Sequence, residues 1–327
     1  MTNWKHNLIG FIVSFSCIAF IVFQIDFVQI RLAISNFIPA YLILGVLALI
    51  FGYIFRILRW SILLNASGAN TSYIECIAPF MGSIALNNVL PMRTGDIFRA
   101  VIFPTFIGVR KTVSTSSIIM ERIFDLVTLV LFLLVGFSLN NGEQIPSEIR
   151  IFSLTLLVLS LIVILIFFLY SKSISNWIYR SVRKKNEIKV SLKFKFLIIV
   201  ADILKSFNHM SRPLVLFFVG ALSIMIWVGE AGVFYALILG FNFSSSIEIA
   251  MIVMSIATLS TLLPSSPGYI GPFHLAAFTA ISMFGFNEDQ SASFALLSHL
   301  LIWLPTTIVG AILIFFNPEL FKFKKNL

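Results

Sequence analysis

The chain has 327 residues, of which 59% are hydrophobic and 11% charged, with a net charge of +9 and a mean hydropathy of +1.00. Soluble domains are about 45–50% apolar and about 25% charged, which excludes a water-soluble globule. One crossing takes about 20 apolar residues, so roughly eight crossings fit and no sizeable soluble catalytic domain does. We predict an all-α integral membrane protein, a polytopic helical bundle. Its positive charge indicates basic cytoplasmic loops and anionic lipid, not nucleic acid.

Apolar runs follow one another along the chain. They cover residues 7–25, 38–55, 73–90, 97–108, 112–139, 151–170, 213–240, 247–263, 273–286 and 291–316. The first run is too long for a signal peptide and no small-residue cleavage site follows it, so we expect a membrane helix there. The fourth and ninth runs are too short to span about 30 Å of hydrocarbon alone.

Each of those two short runs follows a segment broken by proline and glycine. Both breaks contain Leu-Pro-x-x-x-Gly, at Leu90–Gly95 and at Leu263–Gly268. Proline ends a helix and glycine permits unusual backbone, which at membrane depth is tolerated only inside protein or beside a wet cavity. Each broken segment is either a re-entrant hairpin or a pair of tilted spans, and both alternatives stay open.

Basic residues concentrate on one side of the predicted bundle. Residues 171–212 hold ten of the 23 lysines and arginines, which predicts a cytoplasmic basic loop there, and the basic C-terminal tail belongs on the same side. The loops predicted to lie outside are poor in base, at about 140–150, 240–247 and 285–290. Both termini are therefore expected in the cytoplasm, with the chain in the cytoplasmic (inner) membrane.

This orientation divides the chain into two halves that run in opposite directions. Residues 1–145 and 146–327 contain the same order of elements, with a broken segment in the third place of each. We predict a single membrane domain, residues 1–327, built as an inverted-topology repeat. In transporters this arrangement indicates a binding site near the bilayer midplane. Two unrelated pairs of tilted helices are the alternative.

Charges inside the membrane are costly and are therefore functional candidates. Glu121 lies about nine residues into its helix, roughly 14 Å deep, and therefore close to the midplane. Asp125 lies four residues later on the same face, while Arg122 lies about 100° away and is available to another helix. The two acids are predicted to bind a cation or proton, or to hold an arginine of the first break. A purely structural ion-pair cluster is the alternative.

A second cluster is mostly basic. It comprises Arg56, Arg59, Arg93, Asp96 and Arg99. A guanidinium suits phosphate oxygens, and a helix restarting at Pro91 would present free N–H groups to an anion. The cluster therefore predicts a lipid phosphate or a phosphate-linked sugar as ligand. Interfacial anchoring is the alternative for Arg56 and Arg59.

The second half offers fewer candidates. Glu230 lies inside its helix between glycines that permit close helix approach, which predicts a cavity lining or an interhelical hydrogen bond. His274 follows the second break and is a ligand or a packing residue. The sequence has no nucleotide-binding loop, metalloprotease or Gly-x-Ser-x-Gly motif, and its two cysteines lie far apart. We expect no cofactor and no metal, and no ATP-driven pumping by this chain alone.

These residues resemble the lysylphosphatidylglycerol synthase transmembrane region family, also called the flippase-like domain or UPF0104. The resemblance extends over nearly the whole chain and is carried by Arg56–Trp60, Leu90–Ala100, Glu121–Asp125 and Pro264–Gly271. It implies that the region moves lysyl-phosphatidylglycerol between leaflets in fused bacterial members, where a separate cytosolic domain performs aminoacyl transfer. Other relatives are linked to polyprenyl-phosphate glycolipids and surface glycans.

Two departures limit what the resemblance implies. After the second break many relatives have paired glycines and a glutamate, where this chain has Pro267-Gly268 and His274 nearby. The sequence also ends at Leu327 without a transferase domain. The resemblance therefore implies translocation or lipid handling and not aminoacyl-lipid synthesis.

We expect a lipid translocase, not an enzyme, that moves an anionic phospholipid or a polyprenyl-phosphate-linked headgroup between leaflets. The residues expected to bind the substrate are Arg56, Arg59, Arg93, Asp96, Arg99, Glu121, Arg122, Asp125, Glu230, Gly268 and His274. The alternative is a membrane enzyme or accessory subunit for glycan or aminoacyl-lipid modification, which should place an acidic metal-binding pair at the membrane surface. A homodimer is left open.

Overall fold

The computed structural model describes residues 35, 37–140, 147–184, 192–243, 246–263 and 266–321. Regular structure in this part of the chain is helical. The α-helices are α1 (Ala40–Ala66), α2 (Tyr73–Val89), α3 (Thr94–Val101), α4 (Lys111–Leu139), α5 (Ser147–Lys184), α6 (Leu192–Met210), α7 (Pro213–Gly240), α8 (Ile247–Ser260), α9 (Pro272–Ser282) and α10 (Glu288–Phe316). The predicted first helix at 7–25 and the lysines of the C-terminal tail lie outside the described residues.

The helices follow the predicted apolar runs, because a run of apolar residues long enough to span a bilayer satisfies its backbone best as a helix. Among the described helices, α1, α7 and α10 are long and apolar enough to cross a membrane. The main difference lies in the predicted basic loop at 171–212. There α5 continues to Lys184 and α6 begins at Leu192, so much of this stretch is helical.

Several helices begin at residues that satisfy their free N–H groups. Ser72 and Glu75 form a capping box at the start of α2, and Asn287 and Gln290 form one at the start of α10. Such caps satisfy N–H groups that have no partner within the helix. At its other end α2 stops at Val89, before Pro91, whose ring excludes a continued helix.

The centre of the fold is the crossing of α1 and α7, which make the most extensive helix–helix contact in the described chain. A Cβ on Gly229 would lie 2.8 Å from the nitrogen of Gly52, so the two backbones meet where both residues lack side chains. On either side of this crossing, α2 packs on α10 and α8 packs on α4. The helix before each break therefore packs on the last long helix of the other half.

The two breaks have the same local geometry. A single 3₁₀ turn opens with proline in each, at Pro91–Arg93 and at Pro267–Tyr269. The second and third residues of both turns have left-handed backbone, with φ of 59° and 51° in the first turn and 70° and 60° in the second.

The matching positions differ from those that the sequence motif indicates. Leu-Pro-x-x-x-Gly pairs Pro91 with Pro264, whereas the turns pair Pro91 with Pro267 and Gly95 with Gly271. Helix α3 also restarts at Thr94, three residues later than expected. The shift arises because the proline that opens a turn is the one followed by residues with left-handed backbone. Two prolines lie three residues apart, at 264 and 267, and the sequence does not reveal which of them opens the turn.

Candidate functional site

A cavity of about 510 Å³ lies between the two breaks. Its wall includes residues of α1, α2, α4, α7, α8 and α10 together with both 3₁₀ turns. Apolar side chains make up most of the wall, and the polar groups converge from both halves of the chain. Ligand pockets in proteins commonly combine an apolar wall with a few placed polar groups.

Arg93 enters the cavity from the first 3₁₀ turn. Its Nη2 atom donates to the backbone oxygen and to the hydroxyl of Thr261, each at 3.0 Å. Its guanidinium lies 5.3 Å from the ring centroid of Tyr269, which stands at the matching position of the second turn. Among the residues that the structure describes, no carboxylate lies within 4.0 Å of Arg93. Its hydrogen-bond partners among the described residues are therefore neutral.

Arg122 lines the cavity from α4 and is the most exposed of the ion-paired arginines, with 38% of its side chain accessible. Its Nη2 lies 2.7 Å from Oδ2 of Asp96 on α3. Asn87 completes this contact, since its side chain donates to Asp96 Oδ1 and accepts from the Asp96 backbone nitrogen. Asp96 thus orients Arg122 while leaving part of the guanidinium open to the cavity.

Arg56 approaches from α1 and pairs with Glu230 of α7 at 3.2 Å, across the central crossing. The guanidinium lies 4.7 Å from the Trp227 ring and 5.5 Å from the Tyr53 ring. Aromatic faces stabilise a cation that has left bulk water. The indole nitrogen of Trp227 is buried without a hydrogen-bond partner among the described residues, so this wall retains a free donor.

Two further ion pairs are buried behind the cavity. Arg99 of α3 bonds Glu121 of α4 at 2.6 Å, and both side chains are almost wholly enclosed. The rings of Phe80 and Trp60 lie 4.5 Å and 5.3 Å from the Arg99 guanidinium. Buried charges are tolerated when they are paired and packed in this way. This pair locks the first break onto α4.

The second buried pair joins α1 to α4. Arg59 lies 2.8 Å from Asp125 and also donates to the hydroxyl of Ser223 on α7, at 2.7 Å. Asp125 in addition faces Arg122, 3.7 Å away, and lines the cavity. One carboxylate therefore connects the buried pairs with the cavity wall.

One histidine supports the second turn, and a neighbouring tryptophan connects two helices of the wall. His299 Nε2 lies 2.7 Å from the carbonyl oxygen of Gly268 and, since a carbonyl only accepts, carries the proton. Trp303 donates from its indole nitrogen to the Asn88 oxygen at 3.2 Å, which connects α10 to α2. His274 accepts a hydrogen bond from the Gly271 nitrogen and has its ring 4.5 Å from that of His299. It lies behind the cavity wall.

The predicted site residues thus fall into two groups. Those that line the cavity are Arg56, Arg93, Arg122, Asp125, Glu230 and Gly268. Those that support it from behind are Arg59, Asp96, Arg99, Glu121 and His274. Their roles in binding remain predictions.

Sequence reasoning missed much of the neutral wall. The polar and aromatic residues that it left out include Tyr53, Asn88, Trp227, Thr261, Tyr269 and Trp303. Arg93 is the third residue of the first turn and Tyr269 is the third residue of the second. Pairing the two turns residue by residue would therefore have placed Tyr269 opposite Arg93. Thr261 carries no charge and lies in no motif, so nothing in the sequence marks it.

The cavity wall carries an excess of positive charge. Three arginines face two acids among the described lining residues, and no group of three metal-ligating side chains occurs in the described chain. Guanidinium groups bind anionic oxygens more strongly than neutral donors do. The wall can therefore accommodate an anionic group.

Comparison with known proteins gives consistent findings. Residues 7–310 match the family described as the lysylphosphatidylglycerol synthase TM region. A UPF0104 membrane protein of Methanocaldococcus jannaschii is 23% identical over 70% of this chain and 93% of its own length. A second from the same organism is 24% identical over 92% of both chains.

A UPF0104 membrane protein of Pyrococcus horikoshii is 24% identical over 86% of this chain and 88% of its own. No solved structure matches the chain.

Proposed function

Since this chain belongs to the lysylphosphatidylglycerol synthase TM region family, we propose that it is a lipid translocase of the cytoplasmic membrane. It moves a lipid with a phosphate-bearing headgroup between the leaflets, and the cavity between the breaks receives that headgroup. The substrate is an anionic phospholipid or a polyprenyl-phosphate-linked headgroup. The phosphate is the feature that both share.

The observation that carries the proposal is Arg93. It is half-buried and lines the cavity, and no carboxylate among the described residues forms an ion pair with it within 4.0 Å. A bound phosphate would give this guanidinium a directly hydrogen-bonded ionised partner. Arg122, with its accessible edge, is the second donor, and Arg56 lies on the α1–α7 wall.

The packing of the helices supports the inverted repeat that such a mechanism needs. Two contacts pair equivalent parts of the two halves: the contact of α1 with α7 and that of Arg93 with Tyr269. The contacts of α2 with α10 and of α8 with α4 exchange with each other. In transporters built this way, rocking of one repeat against the other exposes a midplane site to each side in turn.

The test is transfer of a fluorescent phosphatidylglycerol in vesicles that contain the purified chain, read by a membrane-impermeant quencher. Charge-assisted hydrogen bonds contribute about 1.5–3 kcal/mol, so Arg93→Gln should slow transfer by roughly tenfold or more. A polyprenyl-phosphate-linked sugar serves as the second probe. The preferred probe then identifies the substrate class.

Arg110→Gln is the matched control, because Arg110 is exposed before α4 and does not line the cavity. It should transfer lipid at the rate of the unaltered chain. If Arg93→Gln transfers lipid at the rate of the unaltered chain, the assignment of Arg93 to the headgroup site is contradicted. If neither anionic probe shows protein-dependent transfer, the proposed translocase function is contradicted.

A further inference from the structure

The two breaks meet at one polar contact. Arg93, at the end of the first 3₁₀ turn, donates to two oxygens of Thr261, which follows the last residue of α8. The contact joins residues 168 positions apart in sequence. It is therefore a direct connection between the first and the second half at the cavity wall.

Both acceptors in this contact are neutral. A guanidinium bonds an ionised oxygen at roughly twice the strength of a neutral one, and Arg93 has no carboxylate within 4.0 Å among the described residues. A phosphate that enters the cavity therefore offers Arg93 a stronger partner than Thr261 does. The Thr261 hydroxyl keeps an alternative bond, since it also donates to the carbonyl oxygen of Thr258.

The backbone on both sides of the contact is held in an unfavourable conformation. Met92 and Arg93 have φ of 59° and 51°, and Tyr269 has φ of 60°. Left-handed backbone in residues other than glycine persists only where surrounding contacts enforce it. Loss of the Arg93–Thr261 hydrogen bonds removes one of those contacts. We therefore expect the turns to relax when these hydrogen bonds break.

We propose that Arg93 and Thr261 form a latch between the two broken segments, and that an incoming phosphate releases it. The headgroup takes Arg93 from Thr261, and the tips of the two segments separate. This inference rests on the proposed function, because it assigns a gating step to the same cavity. It makes Thr261 the residue that sets how strongly an anion must bind before the cavity opens.

One consequence concerns affinity. Thr261→Val removes the hydroxyl acceptor and preserves the size of the side chain, while the backbone oxygen remains. A neutral hydrogen bond contributes a factor of roughly two to ten to an equilibrium, so the variant should bind inorganic phosphate about two to ten times more tightly. Thr279→Val is the matched control, since Thr279 is exposed on α9 and is not among the residues that line the cavity. Its affinity should be unchanged.

A second consequence concerns distance. Spin labels at Met92→Cys and Leu262→Cys, both at exposed positions beside the latch, report the separation of the tips by dipolar broadening. The background variant is Cys17→Ser, and Cys76 is buried. Addition of inorganic phosphate or of phosphatidylglycerol should reduce the broadening, and diacylglycerol, which lacks the phosphate, should leave it unchanged.

Each result decides the matter. Release by phosphatidylglycerol alone supports the latch and identifies the lipid as the source of the anion, and release by both ligands supports it for phosphate in general. Unchanged broadening with both ligands, or unchanged phosphate affinity in Thr261→Val, overturns it. Lipid transfer without separation of the labels would support the translocase function and contradict the latch. Separation of the labels without lipid transfer would support the latch and contradict the translocase function. The affinity measurement needs no label, so it also decides the case if the labelled chain does not fold.

Discussion

The two broken segments share a backbone and differ in chemistry. Each has a 3₁₀ turn opened by proline, two left-handed residues and a glycine four residues after that proline. The first segment continues with Asp96 and Arg99, which pair with α4. The second has Pro272 and Leu275 at the matching places. The same geometry therefore holds charged contacts in one half and apolar contacts in the other.

This difference indicates a division of labour. The first break is tied to α4 by buried ion pairs, which tolerate little displacement because separated charges lose their partners in a medium of low dielectric. The second break is held by the neutral hydrogen bond between His299 and Gly268 and by the contact of the Tyr269 ring with Arg93. We therefore expect the first break to be the rigid side of the cavity and the second break to be the side that yields.

The largest expected effect is loss of the buried pair in the first break. Arg99→Ala leaves Glu121 as an uncompensated buried charge, which should cost about 3–5 kcal/mol of unfolding free energy. In the second break, Leu275→Ala removes only a half-buried apolar side chain and should cost about 2 kcal/mol. Unfolding of the purified chain by sodium dodecyl sulfate measures both.

The double variant Arg99→Leu with Glu121→Leu is the control for this pair. It removes both charges together and should recover most of the lost stability. A double variant as unstable as Arg99→Ala would show that packing, and not the uncompensated charge, causes the loss.

The next effect compares glycines of the two breaks. A Cβ on Gly95 would overlap the backbone oxygen of Ser83 and lie 2.8 Å from the Asn87 nitrogen, so Gly95→Ala should cost about 3 kcal/mol because backbone cannot move aside. A Cβ on Gly268 would lie 2.8 Å from the indole nitrogen of Trp303 and 3.1 Å from the backbone oxygen of Asn88, a smaller overlap than that at Gly95. With the left-handed backbone at this position, Gly268→Ala should cost about 1–2 kcal/mol. If both variants lose the same unfolding free energy in this assay, the expectation that the first break is rigid and the second yields is contradicted.

The smallest effect concerns the ring that lies over Arg93. Tyr269→Leu removes a cation–π contact and should lower the unfolding free energy by about 1 kcal/mol. Tyr269→Phe keeps the ring and should leave stability near that of the unaltered chain. If Phe and Leu behave alike, the ring does not stabilise the guanidinium.

Much of the helical architecture could be predicted from the sequence. The starts of α2, α4, α7 and α8 fall within one residue of the predicted runs, because apolar length and proline position act over neighbouring residues. The breaks were predicted for the same reason. Their register was wrong by three residues, since the choice between Pro264 and Pro267 depends on which turn packs against α2 and α10.

The sequence by itself determined that the chain is helical and membrane-embedded, and that proline and glycine break it at two places. It also determined which charged residues lie within apolar runs. Only the tertiary structure decided how those charges pair. Arg99 and Glu121, both candidates for the ligand, are enclosed together, whereas Arg93 is left to a threonine that no motif marks. Hydropathy and helix breaking are properties of a local segment, but the partner of a buried charge is chosen by which helices cross. That choice separates the arginines that hold the fold from those we propose for the substrate, of which Arg93 is the first.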